Sequence, residues 1–273
     1  MQFPFPVFFI LITVGVLGSI AVMPYAFTLN REHLATIEMS KQKLVILSTI
    51  QAAVLVTITT GLGLLMSPEI GLGAPMLETI VTGGVLPSNI SSLLILAIFV
   101  GSVSAILVVV INQYLFMPHL PAAFHKAQEE IALWKRFLAG FYGAITEEIL
   151  TRLFLMTLIT WLLGKVWIAS NGLPADGAYW LSIIIAALIF GLGHLPATRA
   201  LAPLTPLIIL RALLLNGIVA VGTGYLYWQH GLLVAMLAHF TADMVLHVFA
   251  PMFIHSDTST DLSNVSQTVN LSN

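Results

Sequence analysis

Long unbroken apolar runs, not an alternation of apolar and polar positions, organise this chain. They fall near residues 5–28, 43–66, 92–116, 138–163, 179–195, 204–226 and 231–254, with short polar stretches between them. A bilayer core about 30 Å thick takes roughly 20 mostly apolar residues per crossing helix. In lipid, every backbone N–H and C=O must find a partner inside its own segment, so each run is expected as a helix. The pattern therefore predicts an all-α, polytopic transmembrane helical bundle of about seven spans. The first run (MQFPFPVFFILITVGVLGSIAVMPYAF) lacks a basic leader and is longer than a signal-peptide core, so it is read as a retained span.

Two stretches break the pattern. The segment 122–137 (AAFHKAQEEIALWKRF) is amphipathic and is expected to lie at the membrane interface before the fourth run. Residues 256–273 are rich in Ser, Thr and Asn and are expected to be a polar disordered tail. The resulting organisation is 1–120 as supporting membrane spans, 121–255 as a catalytic membrane core, and 256–273 as the tail.

Composition agrees with this picture. The 273 residues are 58% hydrophobic and 8% charged, against about 25% charged in soluble domains. Mean hydropathy is +0.99. A net charge of -2 leaves no basic footprint for nucleic acid. With no cysteine in the chain, disulfides, thiolate nucleophiles and thiolate metal sites are excluded. Arg31, Lys41, Lys43, Lys126, Lys135, Arg136 and Arg199 lie in loops that share one side if the N-terminus is outside, whereas the opposite side carries Lys165. The positive-inside rule then puts 117–137 and 195–203 in the cytoplasm and 67–91 outside. The expected location is multi-pass in the plasma membrane, with lipid as a constant partner.

Charges inside spans are costly, roughly 2.5–3.5 kcal/mol each at the bilayer centre, and by default mark function. Here they occur only in the later runs: Glu147, Glu148, Arg152, His194, Arg211, His239, Asp243 and His247. Glu148 and Arg152 are i,i+4 neighbours with the acid first, the favourable order. Glu147 points about 100° away and has no such partner. It is the carboxylate free to face a cavity. His194 ends the fifth run in Phe190-Gly191-Leu192-Gly193-His194-Leu195-Pro196, where Gly191 and Gly193 permit close approach and Pro196 is expected to end the helix. His239 and Asp243 share a face of the last run, with His247 one turn on as a helix-gluing or supporting group. Gly217, Gly222 and Gly224 read as packing positions, and Arg211 as a snorkelling cation or a contact for a substrate carboxylate.

Two chemistries fit this set. Glu147 can act as general base on a water, with His194, His239 and Asp243 orienting the water or stabilising an oxyanion. Alternatively Glu147, His194 and His239 can ligate a divalent metal such as Zn²⁺ with one open position. The sequence has no HExxH, no GxSxG and no phosphate-binding loop. A non-catalytic binding, immunity or scaffold protein and a proton- or cation-coupled transporter use the same kinds of residue, although no inverted repeat supports transport.

The three pieces in this order, Glu147-Glu148-xxx-Arg152, Phe190-xxx-His194 and His239-xxx-Asp243, resemble the CPBP family of intramembrane proteases. That family includes the CAAX-processing Rce1-type enzymes and bacterial Abi-type proteins. The resemblance covers about 135–255. It implies an intramembrane endopeptidase acting on a peptide or protein substrate, prenylated CAAX peptides in the eukaryotic-type relatives. By position it makes Glu147 the water-activating base, His194 and His239 its partners, and Glu148 and Arg152 supporting residues. Asp243 takes the place usually given to an oxyanion-stabilising amide, a bond that an ionised carboxylate cannot donate.

Overall fold

The computed structural model describes residues 3–120 and 131–252. Among the described residues the structure is helical, with one isolated β-bridge, Ile168–Pro174, and no strand. Seven long helices follow in order: α1 Phe5–Leu29, α2 Lys41–Ile70, α3 Ile90–His119, α4 over 133–163, α5 Asp176–Arg199, α6 Pro206–His230 and α7 Leu232–Met252. All but α4 are long and apolar enough to cross a membrane. α4 is helical throughout from Leu133 to Leu163. At about 1.5 Å per residue it exceeds the ~30 Å of a bilayer core, and its charged residues set it apart from the other six. The protein is a multi-pass integral membrane bundle.

Some ends differ from expectation. α4 starts at Leu133, so 133–137 of the expected interfacial stretch are the first turns of α4 itself. Residues 122–130 of that stretch and the polar tail 256–273 lie outside the described residues. In α5 the helix stops at Gly193 and resumes at Leu195, with Pro196 in the new first turn. Proline lacks the N–H that a first turn leaves unpaired anyway, so it starts this piece more readily than it would continue the old one.

α4 sits in the middle of the bundle. On one side it packs against α1 and α2, on the other against α5 and α7, while α3 and α6 close around α7. Missing side chains allow these approaches. A Cβ on Gly63 of α2 would run into the carbonyl of Leu153 on α4, and one on Gly101 of α3 into that of Ala238 on α7. Gly191 of α5 lies against Leu213 of α6, whose Cα would be 2.9 Å from a Cβ there. Gly222 and Gly224 also face neighbouring helices. Gly193 and Gly217 differ from expectation. Nothing lies within 4 Å of where their Cβ would stand, because each is on an open side of its helix. α6 and α7 are joined by Gly231 alone, with φ +85°. That dihedral belongs to glycine, and a Cβ would also strike the Pro75 ring at 2.6 Å.

Candidate active site

Glu147, His194, His239, Asp243 and His247 converge on one partly exposed site, to which α4 contributes Glu147. This helix is not evenly wound: Tyr142–Glu147 and Ile149–Met156 are π-helical. Such widened turns are uncommon and often occur at functional sites. Successive side chains here serve three neighbours. The Thr146 hydroxyl donates to the Gly15 carbonyl of α1 at 2.8 Å. Glu147 faces the cleft between α5 and α7. Glu148 is fully buried against α7.

Glu147 is met from two sides. Its Oε1 lies 3.8 Å from His194 Nε2, and its Oε2 lies 3.9 Å from His239 Nε2. Asp243 Oδ1 is 3.9 Å from the same His239 nitrogen and 3.8 Å from His247 Nε2. These separations exceed a direct hydrogen bond. The site is enclosed but not sealed: Glu147 is 17% exposed, His194 31% and His239 5%. His247, at 49%, lies towards the rim.

Both imidazoles are oriented from behind. His194 Nδ1 is 2.9 Å from the Phe190 carbonyl, which can only accept, so Nδ1 carries the proton. His239 Nδ1 is 2.8 Å from Glu148 Oε1 and donates to that carboxylate. Each ring therefore presents Nε2 to Glu147. In a neutral ring that nitrogen is a lone pair, and in an imidazolium it is a second donor. The Phe190 ring packs edge-on to both, with centroids 4.5 Å from His194 and 5.9 Å from His239.

Behind His239 lies a buried chain of charge-assisted bonds. Arg152, 1% exposed, places a guanidinium nitrogen 3.4 Å from Glu148 Oε1. The Arg152–Glu148 spacing is the i,i+4 one, yet the shorter contact of Glu148 is to His239. Arg152 also donates to the Thr223 hydroxyl of α6 through Nε at 3.2 Å and through Nη2 at 2.5 Å. Its guanidinium stands over the Phe190 ring, 5.7 Å from the centroid, a favourable cation–π placement.

Sequence reasoning missed two contributors. Thr223 is an ordinary hydroxyl in an apolar run, and only the rotation of α6 reveals that it faces Arg152. Gly143 is the second: a Cβ there would overlap Asp243 Oδ2 and come within 3.3 Å of His239 Nε2. Its signal was available, since a glycine four residues before Glu147 lies on nearly the same face. Arg211 also lies on α6. It is half-buried and reaches across to α3, with Nε donating to Asn112 Oδ1 at 2.8 Å. Among the described residues no three His, Asp or Glu side chains are placed to hold a metal ion together.

Fold and cleft together describe a multi-pass membrane protein with a carboxylate–histidine site inside the bundle. Residues 129–245 match the family model described as type II CAAX prenyl endopeptidase Rce1-like, which bears out the resemblance to the CPBP intramembrane proteases. That stretch contains Glu147, Glu148, Arg152, His194, His239 and Asp243 and leaves α1, α2 and α3 outside. No curated protein matches the chain. No solved structure matches it either.

Proposed function

We propose that this protein is an intramembrane endopeptidase that hydrolyses a peptide bond with a water activated by Glu147. The observation that carries the reading is the meeting of one carboxylate with two Nε2 atoms from different helices, at 3.8 and 3.9 Å. One water hydrogen-bonded to both sides can bridge gaps of that size. Glu147 takes a proton from that water. The oxygen then attacks the carbonyl carbon as its π bond opens to an oxyanion. When the oxyanion collapses, the C–N bond breaks and the proton held by Glu147 passes to the leaving nitrogen.

The histidines have a double use in this scheme. With Nδ1 tied to Phe190 or Glu148, Nε2 of a neutral ring holds the water, and Nε2–H of an imidazolium donates to the oxyanion. Asp243, ionised, is an acceptor only, and in this reading it orients the water or His239 and does not bind the oxyanion. The substrate is a peptide that reaches the cleft at the membrane. The family match favours a C-terminal prenylated segment as its class.

The decisive test is Glu147→Gln in reconstituted vesicles with a cleavable prenylated peptide. The glutamine keeps the shape but accepts no proton. Turnover should fall by about 10²–10⁴, with an unchanged elution profile. A variant that keeps most of its turnover would overturn the assignment and favour a binding or scaffold role.

A further inference from the structure

The residues that meet at Glu147 come from α4, α5 and α7, yet the rearmost fixed point behind them is on α6. We infer that Thr223 is a positioning residue for the Glu147 site, acting through Arg152 and Glu148 to hold the His239 ring with Nε2 forward. The inference rests on the peptidase reading for its kinetic consequence, but not for its structural one.

His239 presents Nε2 to Glu147 only while its Nδ1–H stays on Glu148 Oε1, at 2.8 Å. Glu148 Oε1 also receives the Arg152 contact at 3.4 Å. The other oxygen of that carboxylate, Oε2, is buried with no hydrogen-bond partner among the described residues. One oxygen thus anchors both neighbours. Rotation of the carboxylate about its last bond would exchange the oxygens, so what holds Arg152 also holds Glu148. Arg152 is held at its far edge by Thr223, which accepts from both Nε and Nη2. The Thr223 hydroxyl itself donates to the Val219 carbonyl at 3.2 Å. Whether the proton turns to Val219 or Ala220 of its own helix or to the neighbouring Glu148 carboxylate, the oxygen keeps lone pairs for the guanidinium. Thr223 is 2% exposed, Arg152 1% and Glu148 0%, so no bulk water substitutes for a lost partner.

Valine is close to threonine in shape but accepts nothing. Thr223→Val leaves two guanidinium donors unpaired in a buried place. The guanidinium is then expected to swing towards Glu148, and the carboxylate to release His239. Serine retains the acceptor and should restore the arrangement.

Two readouts separate this from a merely structural role. The first is the ¹⁵N spectrum of the histidine rings in detergent, with the His239 signal assigned by its loss in His239→Gln. The wild type should show a His239 Nδ1–H bonded to a carboxylate, Thr223→Val a second population in which that bond is lost, and Thr223→Ser the wild-type pattern. The second is turnover of the cleavable peptide. Thr223→Val should lower kcat about tenfold or more, as small misplacements of a reacting group do, with KM within about twofold, and Thr223→Ser should recover it. If valine impairs folding, Thr223→Ala removes the same hydroxyl without a second methyl and carries the same expectations. An unchanged His239 signal in the folded hydroxyl-less variant overturns the inference, whether or not yield or kcat declines. If wild type cleaves no peptide at all, the peptidase reading fails, and the ring spectrum still decides the positioning role.

Discussion

The helices α1–α3 and α4–α7 are made from much the same apolar residues but bury them to different degrees. In the apolar stretches of α1, α2 and α3, 17–28% of positions are buried, against 39–44% in α5, α6 and α7. Side chains such as Phe9, Ile50, Ile58 and Phe99 of the first group are exposed on the bundle surface, where lipid would cover them. The polar groups buried in that group are small hydroxyls, Ser19, Thr59, Thr60 and Ser67, and Ser19 and Thr59 bond to their own helix. The second group buries Glu148, Arg152 and His239. The lesson is one of solvent. A buried hydroxyl is cheap to leave in an apolar helix, because it carries no charge and can turn to a carbonyl of its own preceding turn, as Ser19 and Thr59 do. A buried carboxylate or guanidinium needs partners from other helices, so those helices must pack closely and in one rotation. Polar demand and tight packing therefore coincide.

The largest test of that contrast after Glu147→Gln compares Arg152 with Thr60. Arg152→Ala leaves Glu148 without its cation. Breaking a buried pair costs about 3–5 kcal/mol in soluble proteins, with smaller values expected in a membrane. Folded yield and melting temperature in detergent should both drop, and activity with them. Thr60→Val should be neutral or mildly stabilising, because the Thr60 hydroxyl is buried without a hydrogen-bond partner among the described residues. Equal melting of wild type and Arg152→Ala would break the comparison.

Glycines give a smaller, sharper version. Gly143→Ala should cost about tenfold in turnover, because its methyl would push Asp243 and His239 out of register. Gly217→Ala, with open space around it, should stay within about 0.5 kcal/mol of wild-type stability. If both variants behave alike, Gly143 is not setting the α4–α7 approach.

The last test concerns sides of the membrane and needs no kinetic effect. The chain has no native cysteine, so single cysteines label cleanly. Val85→Cys and Ala200→Cys, both at exposed positions, should react with an impermeant maleimide from opposite faces. Labelling from the same face would invalidate the seven-span arrangement.

Much of the bundle was legible along the chain. The runs near 5–28 and 92–116 are found as Phe5–Leu29 and Ile90–His119, since lipid obliges an apolar segment of that length to close its own backbone bonds. The confinement of the buried charges to α4–α7 was equally plain, because a charge in an apolar run is visible wherever the run is. The i,i+4 spacing of Glu148 and Arg152 followed from helix periodicity alone, and so did the separate direction of Glu147.

What periodicity does not contain is the rotation of one helix against the next. It says which residues share a face and leaves open what that face meets. Only the assembled structure pairs Glu148 more closely with His239 than with Arg152, brings Thr223 under the guanidinium, seats Arg211 on Asn112, and leaves Gly193 and Gly217 facing open space. It also decides which nitrogen of each histidine looks at Glu147, because the Phe190 carbonyl and the Glu148 carboxylate claim the other one. Hydropathy and helical periodicity are properties of a segment and can be read from it. Hydrogen-bond direction and steric contact are properties of pairs of segments, and they come into being only when the helices pack.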